Sequence, residues 1–204
     1  IEGNTYSLLD TEILIKEHKE AIGHKKEEAN MILGHKKALD YILDRKNDFK
    51  KLTLSKIENV HRLVVQDLNI NFGLREKPVG IIGTNYRPLD NKHQIREAME
   101  KTTVAINKLS NQFARALATI LLISYIQPFE DGNKRTGRLL ADAILLAHET
   151  CPLSFRSVDE VLYKKAMILF YEQGSAQAFR ELFVEQFKRL NIVISANAIF
   201  INVK

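Results

Sequence analysis

A single cysteine, Cys151, leaves no pair for an internal disulfide. It precedes Pro152 in an apolar setting, so it reads as a small packing residue, and a reducing cytoplasm is the expected compartment. Six histidines (18, 24, 35, 61, 93, 148) show no H-E-x-x-H spacing and no cysteine pairing, which argues against a zinc site. No serine or threonine stands in a nucleophile-elbow glycine pattern. The longest apolar run, Ala116 to Ile126, is broken by Thr119 and Ser124 and is too short to span a bilayer, so no membrane partner is expected. No signal-peptide pattern opens the chain, and no methionine does. Its start reads as trimmed, or as part of a longer protein. Internal repeats, heptad seams and low-complexity stretches are all missing.

Tryptophan is absent, and glycine and proline number only nine and four. Long Leu/Ile/Ala-periodic runs dominate instead, and the chain reads as mainly α. With 204 residues and 45% hydrophobic content it can bury one sizeable core, and one domain is the default. The net charge of +5 is compatible with a phosphate-bearing ligand or an acidic partner. Lysines alternate with Glu and Asp along the helices, which reads as a solvated surface rather than a nucleic-acid face.

The apolar spacing predicts helices over about 8–17, capped by Ser7 or Asp10, and over 27–45 with Ile32, Leu33, Leu39, Ile42 and Leu43 inward. Gly34 weakens the second. Thr53 or Ser55 caps a helix over 56–67. Helices resume over 93–109, 112–126 and 133–149. Ser157 starts one ending before Gly174, and Ser175 caps another over 176–190. The last stretch, 192–204, fits a helix, a strand or a docked tail. Between Asn69 and Asp90 the punctuation changes to Asn71, Gly73, Pro78, Gly80, Gly83, Asn85 and Pro88. Val79, Ile81 and Ile82 before Gly83-Thr84, with Tyr86 after, suggest a short hairpin; this pattern fits both a flap over a site and an ordinary loop.

The densest chemistry lies in residues 126–140, Ile-Gln-Pro-Phe-Glu-Asp-Gly-Asn-Lys-Arg-Thr-Gly-Arg-Leu-Leu, between two apolar helices. Gly132 and Asn133 open the second helix, whose N–H groups and dipole favour anions. Gly132 lets a phosphate approach the backbone. Arg135 and Arg138 are three apart on one helical face, and Lys134 adds to the same field. Asp131 is a hard oxygen ligand suited to Mg²⁺ beside phosphates. A polyphosphate–metal site accounts for the whole set; an N-capped helix with surface ion pairs accounts for any one member.

The run resembles the Fic-domain signature, H-x-F-x-(D/E)-G-N-(G/K)-R-x-x-R. Phe129, Asp131, Gly132, Asn133, Lys134, Arg135 and Arg138 match as they stand. Residues 79–86, Val-Gly-Ile-Ile-Gly-Thr-Asn-Tyr, are similar to the family's flap hairpin, and Ile1-Glu2-Gly3-Asn4 to the end of its inhibitory motif, (S/T)-x-x-x-E-(G/N). The resemblance implies a Fic-like helical bundle with one short β-hairpin flap. It implies one domain over 1–190, comprising an N-terminal inhibitory and helical part at 1–50 and a Fic core at 51–190, with a C-terminal tail at 191–204. The implied reaction is transfer of AMP from ATP to a protein hydroxyl, with Mg²⁺ as cofactor. Asp131 would hold the metal. Gly132, Asn133, Lys134, Arg135 and Arg138 would hold the phosphates, and Phe129 would anchor the loop. Val79, Ile81, Ile82, Gly83, Thr84 and Tyr86 would dock the target by strand addition. The target would be a Ser, Thr or Tyr of another protein or of this chain itself, with Thr5, Ser7 and Tyr86 as candidates. Glu2 would pair with Arg138 and hold the enzyme inhibited. The oligomeric state stays open.

One position departs from the signature. The family's catalytic histidine, which takes the proton from the target hydroxyl, is Gln127 here. A neutral amide holds no extra proton near pH 7, and losing a general base costs about 10² to 10⁴ in rate. Lys134 also occurs in relatives that phosphorylate, although these tend to lack the second arginine. Three readings result: an AMP transferase impaired at its base, a non-catalytic nucleotide-binding module or related phosphotransferase, and, against the scattered charge, a nucleic-acid-binding helical domain.

Overall fold

The computed structural model of the chain describes residues 4–155 and 158–201; Glu2 and Ser157 lie outside them. The described residues form eight α-helices and a 3-10 turn. In order these are α1 (Leu8–Glu17), α2 (Lys26–Asp44), the 3-10 turn (Lys46–Lys50), α3 (Leu54–Val64), α4 (Lys92–Lys108), α5 (Gln112–Ile126), α6 (Asn133–Ala147), α7 (Glu160–Gln173) and α8 (Gln177–Ile201). Side-chain caps start five of them: Ser7, Thr53, Asn91, Asn111 and Asp159 each accept from a first-turn N–H. Gly174 ends α7 at φ 67, a left-handed stop that glycine adopts without strain.

The α5–α6 pair is the axis of the molecule, and both of its sides are buried. On one side Ile42, Phe49, Ile57, Val60, Val64, Ile95, Met99 and Ile106 pack on Ile123, Leu139, Leu140, Ala143 and Ile144. On the other, Ala116, Ile120, Leu121, Ala141 and Leu145 pack on Phe155, Tyr163, Ala166, Met167, Phe179 and Phe183. Helices buried all round carry little polar surface, which is why α5 reads as an almost unbroken apolar run. Gly34 is where α2 meets α3. A Cβ there would stand 2.8 Å from the carbonyl oxygens of Leu63 and Val64, so the residue that weakens the helix by propensity permits its packing.

Several expectations change. No strand forms among the described residues, so the hairpin over 79–86 is not found. Its polar groups bond elsewhere: Thr84 Oγ1 and the Asn85 N–H donate to Glu172 of α7 (2.8 and 3.0 Å), and the Tyr86 N–H donates to Thr84 Oγ1 (3.0 Å). Backbone donors satisfied by side chains have no ladder left to build. Leu43 is exposed rather than inward. Cys151 is exposed, not packed. Asp159, not Ser157, caps α7. The stretch after 190 continues α8 as far as Ile201. No helix among the described residues is long and apolar enough to cross a membrane.

Candidate functional site

The link between α5 and α6 is fixed by a ring of side-chain hydrogen bonds centred on Asn133. Asn133 Oδ1 accepts from the Phe129 N–H (2.9 Å), while Nδ2 donates to the Phe129 carbonyl (2.9 Å) and to Gln127 Oε1 (3.0 Å). Gln127 Nε2 donates to the Ser124 carbonyl at 2.6 Å. Both ends of the Gln127 amide are therefore occupied, and the residue is only 8% exposed. Its backbone sits at φ 49, ψ 59, ending α5 in a left-handed conformation that is uncommon outside glycine.

Two residues from distant parts of the chain hold this loop from below. His61 of α3 is fully buried and stacks on the Phe129 ring, centroids 3.7 Å apart and planes 6° apart. Its Nε2–H donates to the Asp131 carbonyl at 3.0 Å. Burial pushes its pKa down to about 4, so the ring is neutral near pH 7. Arg75, 2% exposed, donates from Nε to the Gln127 carbonyl at 2.6 Å, and its own N–H donates to the Pro128 carbonyl at 3.0 Å. Neither residue belongs to the signature. His61 is signalled by its place on the apolar stripe of α3 with Ile57, Val60 and Val64. Arg75 lies in the turn-rich stretch, where no periodicity marks it.

Gly132 begins α6 at φ 77, and no side chain caps this helix. A Cβ at Gly132 would meet Val65 Cγ1 at 3.1 Å, so both conformation and packing call for glycine. Above it, Glu130, Asp131, Gly132, Asn133, Lys134, Arg135 and Gln127 form one wall of a cavity of about 660 Å³. Segment 79–83 and Met31 of α2 line it too, and α7 closes it with Tyr163, Lys164, Met167, Ile168 and Tyr171. The size suits a small ligand, and the lining combines apolar area with a few convergent polar groups.

The predicted residues divide between the cavity and its supports. Arg135 is buried and donates to Asp131 Oδ2 at 3.1 Å, while the Asp131 side chain is 63% exposed. Asn71 holds Glu130 through both carboxylate oxygens at 3.3 Å. Phe129 is fully buried beneath the loop. Arg138, one turn further along α6, is not among the lining residues; its charge acts on Asp142. Burial pushes the Asp142 carboxyl up to about 7, against the pull of the Leu153 N–H (2.8 Å) and Arg138. Val79, Ile81, Ile82 and Gly83 line the cavity. Thr84 and Tyr86 serve instead as anchors: Tyr86 stacks on Tyr125 (4.2 Å) and donates to its carbonyl (3.1 Å). Ile82, at the tip, is fully exposed. Glu2 falls outside the described residues. Just after it, Thr5 donates from N and Oγ1 to Glu28 of α2, each at 2.7 Å.

Comparison with known proteins places the chain in a family. Residues 51–145 match the Fic/DOC family. The chain is 33% identical over 154 residues to the protein adenylyltransferase Fic of Aedes aegypti, covering 72% of this chain and 30% of that protein. It spans about a third of the length of the curated relatives it matches. A Fic family protein from Desulfovibrio desulfuricans superposes with a TM-score of 0.79 at 20% identity, over 96% of this chain and 62% of that one. A Bartonella tribocorum effector, solved with AMPPNP bound, superposes at 0.54 and 13% identity, over 74% of this chain and 85% of that one. With the signature loop inside the matched region, the chain belongs to the Fic/DOC family.

Proposed function

We propose that this chain is the nucleotide-binding unit of a protein adenylyltransferase, with AMP transfer held back at position 127. The observation that carries the reading is the cavity itself. An uncapped helix N-terminus, Lys134 and Arg135 face the apolar wall of α7 across a space fit for a nucleotide. ATP would lie there with its phosphates against Gly132, Asn133, Lys134 and Arg135. Asp131 would hold Mg²⁺, with the nucleotide phosphates supplying further oxygens. The metal would neutralise charge on the phosphates. The exposed carboxylate of Asp131, beside the Arg135 guanidinium, suits that role. The adenylyltransferase relatives and the AMPPNP-bound fold-mate support the choice of nucleotide.

Transfer joins the target oxygen to the α-phosphorus, releases pyrophosphate and requires an acceptor for the hydroxyl proton. Gln127 cannot be that acceptor. Its amide is neutral, and its oxygen already accepts from Asn133. Nucleotide binding is thereby retained while transfer is slowed. Segment 79–83 would hold the target by main-chain contacts, with Ile82 free to enter a partner. The ties of Asn4 and Thr5 to α2, whose Met31 lines the cavity, support an inhibitory role for the preceding Glu2 against Arg138.

Calorimetry with Mg-ATP tests the binding half; no heat at millimolar nucleotide removes the reading. Radiolabelled-ATP transfer tests the other half. Gln127→His in a Glu2→Gly background should raise labelling by about 10² to 10⁴, the usual worth of a general base. If that variant labels neither itself nor any lysate protein, the transferase reading is wrong.

A further inference from the structure

Arg75 is the most deeply buried cation among the described residues, and its side-chain hydrogen bonds run to main-chain carbonyls. Nε donates to Gln127, Nη1 to Lys77 (2.9 Å) and Nη2 to Leu89. The Arg75 N–H adds Pro128. These carbonyls belong to three separate stretches: the end of α5, the chain entering segment 79–86, and the chain leaving it before α4. Asp90 supplies the opposing charge nearby. Only a planar guanidinium offers donors in three fixed directions; an ammonium is a point charge with no such fork.

The two roots of segment 79–86 and the left-handed turn at Gln127 therefore hang on one side chain. Elsewhere the segment is held by exposed Glu172 and by the Tyr86 stack. A left-handed glutamine persists only where its surroundings hold it, and Arg75 grips the carbonyl of that residue. We propose that Arg75 is a positioning residue that sets the register between segment 79–86 and the loop 127–135, so that the two walls of the cavity move as one body. The coupling stands without any assigned reaction. Its bearing on transfer, as the part that keeps a docked hydroxyl in line with the phosphates, rests on the function proposed above.

Hydrogen exchange of the full chain tests the coupling. Arg75→Lys should raise exchange of amides in 79–86 and in 127–133 together, by about tenfold, with α2 and α3 amides within about twofold of wild type. Glu172→Gln should raise it in 79–86 alone. A rise spread evenly over α2 to α6 makes Arg75 a plain core residue, and no change in either stretch removes its role; each result overturns the proposal. If Arg75→Lys does not fold, Arg75→Gln carries the same comparison. A kinetic arm uses the Gln127→His background. Adding Arg75→Lys should lower kcat about tenfold and leave KM for Mg-ATP within about twofold, the mark of lost alignment rather than lost binding. A higher KM with unchanged kcat contradicts positioning. If Gln127→His itself transfers nothing, the functional reading fails while the exchange data still decide the coupling.

Discussion

The two walls of the cavity are held in different ways. The loop wall is buried: the Asn133 ring, the His61 stack and the Arg75 fork bond its polar groups to one another. The wall made by segment 79–86 is largely exposed. Between the roots held by Arg75, its ties are two hydrogen bonds to an exposed carboxylate on α7 and the Tyr86 side chain, which stacks on Tyr125 and Tyr171 and donates to the Tyr125 carbonyl, and Ile82 is fully exposed. Buried, mutually satisfied polar groups rigidify, whereas solvent-exposed bonds open at little cost. Under the function proposed above, the firm wall would hold the phosphates, and the span between the Arg75-held roots would be left to adapt to a target.

This contrast breaks most severely at Gly132. Gly132→Ala forces a side chain into a left-handed position and against Val65, and should destabilise the fold by about 3 kcal/mol. Denaturant unfolding reads it directly; a loss within experimental error would mean the loop wall yields as easily as its partner.

His61 sharpens the comparison through pH. Its folded pKa, about 4, lies below the unfolded value of 6.5, so the unfolded chain takes up the proton first as pH falls. Its contribution is full above 6.5, declines between 6.5 and 4, and should have lost about 2.5 kcal/mol by pH 4.5. His61→Phe keeps a ring over Phe129 without the titration. Comparing the two proteins at pH 7 and 4.5 should show wild type losing that much more; parallel losses would remove the burial argument.

At the exposed wall, Glu172→Gln should leave stability almost unchanged, since a group open to water contributes little. Thermal unfolding should barely shift. A cost like that of Gly132→Ala would erase the distinction between the walls.

How far the sequence foretells this arrangement depends on the range of the interaction. The bounds of α5 match the apolar spacing residue for residue, because both its faces are buried and every apolar position is informative. The loop was recognisable because glycine, Asn133 and the cations stand within a few residues of one another. Segment 79–86 reads as a hairpin from its turn residues but forms no strand: its turn chemistry is local, while its anchor, Glu172, lies far along the chain. Leu43 shows the opposite failure, a residue in phase with its neighbours that nothing covers. The apolar stripe of α3 marks His61 as buried but not what it holds, and Arg75 lies on no stripe at all; their roles show only through partners 70 and 52 residues away.

Those separations also order the events of folding. The Asn133 ring spans four to six residues and can close as soon as α5 and α6 meet. The ties from His61 and Arg75 close loops roughly tenfold longer, with the larger entropy that this entails. A refolding chain is therefore expected to own a correctly shaped 127–133 loop before it owns a cavity. Pulsed labelling during refolding would find the Phe129 amide protected first, and the Arg75 amide, bonded across to Pro128, protected later.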